Sequence, residues 1–168
     1  MKLYSYIVTH DTGFAPNPFW GFCTLACCKP VIRRVVGKNF QTEEDYWIVG
    51  LSSKAKGNKI IYVMKVTGVV RFDEYFNNKK YEAKKPDFTK KELIYRRGDN
   101  IYQPLGNGEY KQLISMHSKN FDCANCEEIT EGKDNKDLKG KYVLISDLFY
   151  YFGSMAEDLP DSLNELKV

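Results

Sequence analysis

Along most of this chain, apolar positions either alternate with polar ones or fall in short blocks bounded by Gly, Pro and Asn, a pattern that predicts strands more often than helices. Lys2 to Val8 sets Leu3, Ser5 and Ile7 against Tyr4, Tyr6 and Val8, which predicts a strand partly covered on both faces. Val31 to Val36 is a β-branched run carrying Arg33 and Arg34, and Tyr46 to Leu51 is a short apolar block; both predict strands. The longest apolar stretch lies within Lys59 to Phe72 and predicts a long strand bent or bulged at Gly68. Asp73 stands where it could cap a short helix, FDEYFNN. Asn107-Gly108, between Ile101-Tyr102 and Tyr110 to Ser115, predicts a hairpin, because both residues accept the positive φ of a two-residue primed turn. Lys141 to Ser146 predicts a strand, Asp147 a helix cap before the aromatic segment LFYYFG, and Pro160 the first turn of a C-terminal helix, PDSLNELK.

Between Lys79 and Gly140 charged runs alternate with turn clusters, and most of that stretch reads as surface loop. The sum is an α+β fold: a mixed, strongly curved sheet or small partial β-barrel with short flanking helices, forming a single domain over residues 1–168.

Composition narrows the function classes. Lys and Arg number 25 against 22 Asp and Glu, a formal charge of +3 with a pI near 8.5, so a nucleic-acid partner is permitted and not demanded. So small a charge argues against strong salt-dependent duplex binding and favours a small ligand or an extruded base. Neither a long apolar leader nor a bilayer-length apolar run is visible, and the expectation is a soluble, cytoplasmic protein without a membrane partner. Five cysteines, an odd number, fit a reducing compartment better than a disulfide framework.

The densest chemistry lies in one connection, Thr9 to Arg34. His10-Asp11 ends the first strand; neighbours on a strand point to opposite faces, so one of the two can face a ligand, while Asp-Thr-Gly is equally an ordinary Asx turn. In Pro16-Asn17-Pro18-Phe19-Trp20 the prolines hold Asn17 extended, which would let its amide read a base edge while Phe19 or Trp20 stacks; a buried aromatic lid is the alternative. Cys23, Cys27 and Cys28, with the late Cys123-Ala-Asn-Cys126, could form a zinc site, although FCTLACC is a context in which cysteine packs as a small hydrophobe. Lys29, Arg33 and Arg34 could take phosphate, with Arg96, Arg97, Asp99, Asn100, Tyr102 and His117 as a second polar set; solvated ion pairs are the plainer reading.

These residues carry a resemblance. The opening LYSYIVTHDTGFAPNPFWGFCTLACCKPVIRR, with DYWIVGL, KVTGVVRFDEYF, RRGDNIY and LISDLFYYFG, resembles the second class of nucleotide modification associated domains, found in phage and bacterial neighbourhoods for hypermodified DNA bases. The likeness covers nearly the whole chain. It implies association with base or nucleotide modification, and it points to Asp11, Gly13, Asn17, Pro18, Cys23, Cys27, Lys29, Pro30 and Arg33 in the opening block. Further on it points to Asp99, Asn100, Tyr102 and His117, then Asp147, Phe149, Tyr150 and Gly153; Cys123 and Cys126 lie outside its strings. DYWIVGL followed by KIIYVMKVTGVV bears a fainter likeness to the barrel core of base-binding domains of the PUA, ASCH and EVE type.

The leading expectation is therefore a pocket for a nucleotide or modified nucleobase, walled by His10, Gly13, Asn17, Phe19, Trp20, Cys23, Lys29, Arg33 and Arg34 and, across from them, Asn100, Tyr102 and Tyr150. The alternatives are a nucleotide- or base-modifying enzyme using His117, Asp11, Asp99 or Asp147 as acid and base, and a non-catalytic interaction subunit stabilised by zinc. No resident metal or cofactor is assigned; the expected partner is a nucleotide or a nucleic acid with a modified base.

Overall fold

The computed structural model describes residues 1–116, 118, 128–130 and 135–166. Its strands are β1 (Lys2–Ile7), β2 (Cys23–Leu25), β3 (Tyr46–Leu51), β4 (Ile60–Lys65), β5 (Gly68–Arg71), β6 (Tyr102–Gly106), β7 (Glu109–Gln112), β8 (Glu128–Thr130), β9 (Tyr142–Ser146) and β10 (Leu148–Tyr151). The helices are α1 (Pro30–Asn39), α2 (Phe72–Asn77) and the single turn α3 (Leu93–Arg96), supplemented by short 3-10 turns. The fold is mixed α+β, with the strands in three sheets of order β1-β3-β4-β10, β2-β9-β5 and β6-β7-β8. None of these closes on itself among the described residues.

Packing follows from the alternation. The inward residues of the four-stranded sheet, Tyr6, Val8, Tyr46, Ile48, Tyr62 and Met64, meet Cys23, Leu25 and Leu144 of the second sheet and Val36 of α1 in one core. The opposite side chains of β9, Val143 and Ile145, face a second core with Phe72 and Tyr75 of α2, Ile101 and Tyr102. The outer face of the first sheet, Val49, Leu51 and Ile60, is covered by Leu159 and its C-terminal neighbours. In Tyr142–Ser146 the five residues thus serve two cores at once, the period-two signature that made this strand legible.

Four sequence expectations are corrected. Residues 31–36 are helical, within α1; Pro30 opens the first turn, Lys38 closes the last, and the packing of Val36 and Gly37 against the second sheet overrides the β propensity of Val and Ile. The apolar run within Lys59 to Phe72 is two strands in different sheets, β4 pairing with β3 and β10, and β5 with β9, joined through Val66 and Thr67 just before Gly68. The segment after Asp147 is strand β10 rather than a helix: Leu148 and Tyr150 are exposed, while Phe149 and Tyr151 turn inward. Asp73 is not the cap of α2 either, since Arg71 precedes the helix and its N–H donates to Glu74 at 2.9 Å. The hairpin forms as expected, with Asn107 and Gly108 at φ 52° and 80°. The C-terminal segment forms 3-10 turns over Asp161–Leu166.

One topological feature positions the site. β1 and β3 are parallel neighbours, and the connection between them carries the opening loop, β2 and α1. The carboxyl end of β1 therefore lies beside the start of a helix, the place where open α/β sheets hold ligands.

Candidate functional site

The opening loop folds back on itself before it can present anything. Asn17 and Thr24 exchange both backbone hydrogen bonds at 2.9 Å, and the chain between them turns through Trp20 and Gly21, both at positive φ. The Asn17 amide donates to the carbonyls of Gly13 (3.2 Å) and Arg97 (2.7 Å), and its Oδ1 accepts from the Lys84 ammonium at 2.7 Å. Lys84 is itself 1 % exposed and also donates to the Asn17 and Phe22 carbonyls at 2.9 and 2.6 Å. Nearby, Asp99 is fully buried and accepts from Thr24 Oγ1 and the Tyr75 hydroxyl, each at 2.8 Å. Burial drives the Lys84 ammonium down to about 8 against the opposing pull of Asp99, and burial raises the Asp99 carboxyl against the pull of Lys84. For both partners desolvation outweighs attraction, as it does when two charges leave water without direct contact.

A second buried network closes the loop's far end. The Arg33 side chain is fully buried and donates to the carbonyls of Cys28 (2.7 Å), Tyr142 (2.8 Å) and Asp137 (2.6 Å). Asp137 Oδ1 accepts the Cys28 N–H at 2.6 Å, and its other oxygen the Tyr102 hydroxyl at 3.0 Å. Gly140 lies against the guanidinium so closely that a Cβ there would occupy its place. Asn100 turns inward to the Tyr75 and Tyr81 carbonyls. Cys23 and Cys27 are buried, and burial raises both thiols, Cys23 to about 12. Buried thiols so raised are inert as nucleophiles. Among the described residues no three His, Cys, Asp or Glu side chains are grouped to hold a metal ion; Cys123 and Cys126 lie outside the described residues.

Open space lies on the other side of the loop. A cleft of about 460 Å³ is lined by Tyr6, Val8, Thr9 and His10 from the end of β1 and by Cys28, Lys29, Val31 and Ile32 from the start of α1. A second, of about 360 Å³, shares Val8 and Thr9 and adds Asp11, Ser52, Lys56, Lys59, Ile61 and Ser154. Lys29, left-handed at φ 44°, places its ammonium 4.7 Å from the centre of the Tyr6 ring. Val31 and Ile32 belong to the first helical turn, where N–H groups have no intrahelical acceptor and the helix dipole is positive. The Asp11 carboxylate is held by the Tyr151 hydroxyl, which donates at 2.8 Å to either oxygen. Burial and then Asp11 raise the Tyr151 hydroxyl, with Arg97 acting in the opposite sense. Lys59 reaches Asp158 at 3.0 Å.

The sequence-derived candidates therefore divide. His10, Asp11 and Lys29 line the clefts. Gly13 sits behind Asp11 and under the Phe19 ring, and Trp20 packs on Tyr95 at 5.1 Å. Asn17, Cys23, Arg33, Asp99, Asn100 and Tyr102 are buried, with Arg33, Asp99, Asn100 and the Asn17 amide bonded within the chain. Arg34 is exposed on α1, Tyr150 is exposed on β10, and Asp147 is exposed at the opposite end of β10 from Tyr151. His117 lies outside the described residues. Residues the sequence did not single out are Lys56 and Lys59 on the cleft, Tyr151 behind Asp11, and the buried Lys84 and Asp137. Only Tyr151 had a local signal, the alternation of LFYY; a lysine inside AKKPD looks like any solvated lysine.

Comparison with known proteins agrees with the sequence resemblance. A family model described as "Nucleotide modification associated domain 2" matches residues 1–168. No curated protein and no solved structure matches the chain. No helix among the described residues is long and apolar enough to cross a membrane.

Proposed function

The chain belongs to the nucleotide modification associated domain 2 family, and from that premise we propose that it binds a nucleotide or modified nucleobase in the cleft at the carboxyl end of β1. The carrying observation is the meeting of two clefts of about 460 and 360 Å³ at Val8 and Thr9, with lysines on both. Each volume suits a small ligand. In this reading Lys29 and the first-turn N–H groups of α1 take phosphate, Lys56 supplies a second cation, and His10 and Asp11 meet base or sugar edges. Asn17, Cys23, Arg33, Asp99, Asn100 and Tyr102 act as positioning residues that hold the loop. The proposal also keeps a single domain over residues 1–168 and a barrel-like relation to base-binding domains, supported by the two sheets that share one core.

The test is titration with nucleoside 5′-phosphates bearing natural and 5-substituted bases, followed by calorimetry. Saturable binding that weakens about tenfold in Lys29→Ala is expected, the loss of one desolvated charge-assisted contact. Absence of binding, or wild-type affinity in both Lys29→Ala and Lys56→Ala, overturns the reading.

A second reading, a nucleotide- or base-modifying enzyme, is favoured by the Asp11 carboxylate on the cleft wall, held from behind by the Tyr151 hydroxyl. Among the described residues Asp11 is its acid-base candidate, because Asp99 is sealed in the interior and Asp147 lies beyond the clefts. Mass spectrometry after incubation tests it: an altered nucleotide absent with Asp11→Asn supports it, and unchanged nucleotides throughout overturn it.

A further inference from the structure

The positive charge is concentrated in one stretch. Residues 79–97 hold eight lysines and arginines against three carboxylates, +5, whereas the whole chain carries +3, so the remainder is slightly acidic. Of the eight, Lys84 is buried and Lys85 pairs with Glu82 at 2.7 Å. Lys79, Lys80, Lys90, Lys91, Arg96 and Arg97 form no salt bridge among the described residues. Of the carboxylates, Asp87 already accepts the Thr89 hydroxyl at 2.6 Å and its N–H at 2.9 Å.

Rings are interleaved with these cations. Lys80 lies 4.3 Å from the Phe22 ring centre and Arg96 5.1 Å from that of Phe88. Tyr95, 37 % exposed, packs against Trp20 at 5.1 Å with the ring planes 40° apart. The Trp20 indole N–H and the Nε of Arg96 and Arg97 are buried, without an acceptor among the described residues. A run of lysines kept only for solvation needs no rings beside it. Cations that follow phosphates beside rings that stack bases are the two parts of a single-strand binding surface.

The surface also adjoins the clefts. The Arg97 carbonyl accepts the Asn17 amide, and its side chain passes beside Gly13, two residues from Asp11 on the cleft wall. We infer that residues 79–97, with Trp20, form a track for single-stranded nucleic acid, so that the nucleotide in the cleft is presented by a polynucleotide strand. The link to the cleft rests on the reading given under Proposed function; the track itself does not.

Fluorescence anisotropy with a labelled oligodeoxynucleotide of about 12 nucleotides, within the site size of single nucleic-acid-binding folds, tests it. Affinity falls with salt, and Lys90→Glu with Lys91→Glu weakens it about tenfold or more and flattens the log-log salt slope by about 0.7 for each phosphate contact removed. Tyr95→Leu weakens it about fivefold or more and leaves that slope unchanged, since stacking releases no counterions. Equal affinity of the double-lysine variant and the wild type overturns the track, as does unchanged affinity in Tyr95→Leu or a duplex bound as tightly as the single strand. Mononucleotide titration of the same variants separates the two readings: failure to bind mononucleotide overturns the cleft, whereas the track stands or falls on the oligonucleotide.

Discussion

On the inner side of the opening loop, Asn17, Lys84 and Asp99 are satisfied by hydrogen bonds drawn from the chain itself. On its outer side, His10, Asp11 and Lys29 border open clefts. The two sides come from the same run of residues and differ in what their polar groups still have to give. Buried donors and acceptors must be satisfied from within, because an unmade bond there costs about 1–3 kcal/mol, whereas a group at a cleft edge keeps its capacity for a ligand or water. A distinctive sequence context, such as an asparagine between two prolines, can therefore mark the demands of folding a loop as readily as those of recognition.

The contrast can be broken most forcefully at Lys84. Lys84→Met withdraws the ammonium from the Asn17 and Phe22 carbonyls and from the Asn17 Oδ1 and leaves Asp99 without its neighbouring charge, and a loss of about 3–5 kcal/mol in denaturant unfolding is expected, the cost of removing one member of a buried charged network. A loss under about 1 kcal/mol would mean that the inner network does not hold the loop.

Titration sharpens the same point. The folded Lys84 ammonium ionises at about 8, below the ordinary 10.5, so above pH 8 the unfolded chain retains a proton that the folded chain has released. Stability of the wild type relative to Lys84→Met therefore rises with pH through that window, by on the order of 1–2 kcal/mol between pH 8 and about 9.5. A flat or falling difference contradicts the burial assigned to this group. The raised Cys23 and Cys27 thiols act oppositely within this window and the buried tyrosines above it, and because both proteins carry them, the wild type is compared with Lys84→Met.

Tyr151→Phe removes the hydroxyl that ties Asp11 and is expected to cost about 1 kcal/mol in stability while changing nucleotide affinity. The smallest effect on stability belongs to Lys29→Ala, within about 1 kcal/mol, since only an edge cation over the Tyr6 ring is lost. That variant's tenfold effect on nucleotide binding, set beside the reverse pattern expected for Lys84→Met, is the sharpest form of the comparison.

Much of the sheet was legible. The alternation of β1 and of Tyr142–Ser146 predicted strands that formed, and Asn107-Gly108 predicted its hairpin. The β-branched run of Val31 to Val36 misled because helix α1 is held by Val36 in a core that the local pattern does not contain. LFYY misled because Asp147 resembles a cap, although its period-two exposure marks a strand. Of the candidate site, His10 and Asp11 were legible as polar residues just past β1, and Lys29 as a cation beside Arg33 and Arg34. Lys56 and Lys59 were not, since only the parallel pairing of β1 with β3 brings the turn after Leu51 beside that end.

By itself the sequence determined the strand-rich α+β class, the family, and the loop in which the polar and aromatic groups are gathered, because alternation, turn chemistry and motif strings are local properties of the chain. Which of those groups face outward was decided only by the tertiary structure. Asn17 and Arg33 turn inward because distant carbonyls and charges at Arg97, Lys84, Asp137 and Tyr142 meet them there. Lys29 stays at the cleft, where its ammonium rests over the Tyr6 ring rather than in a network of buried carbonyls like those around Lys84 and Arg33.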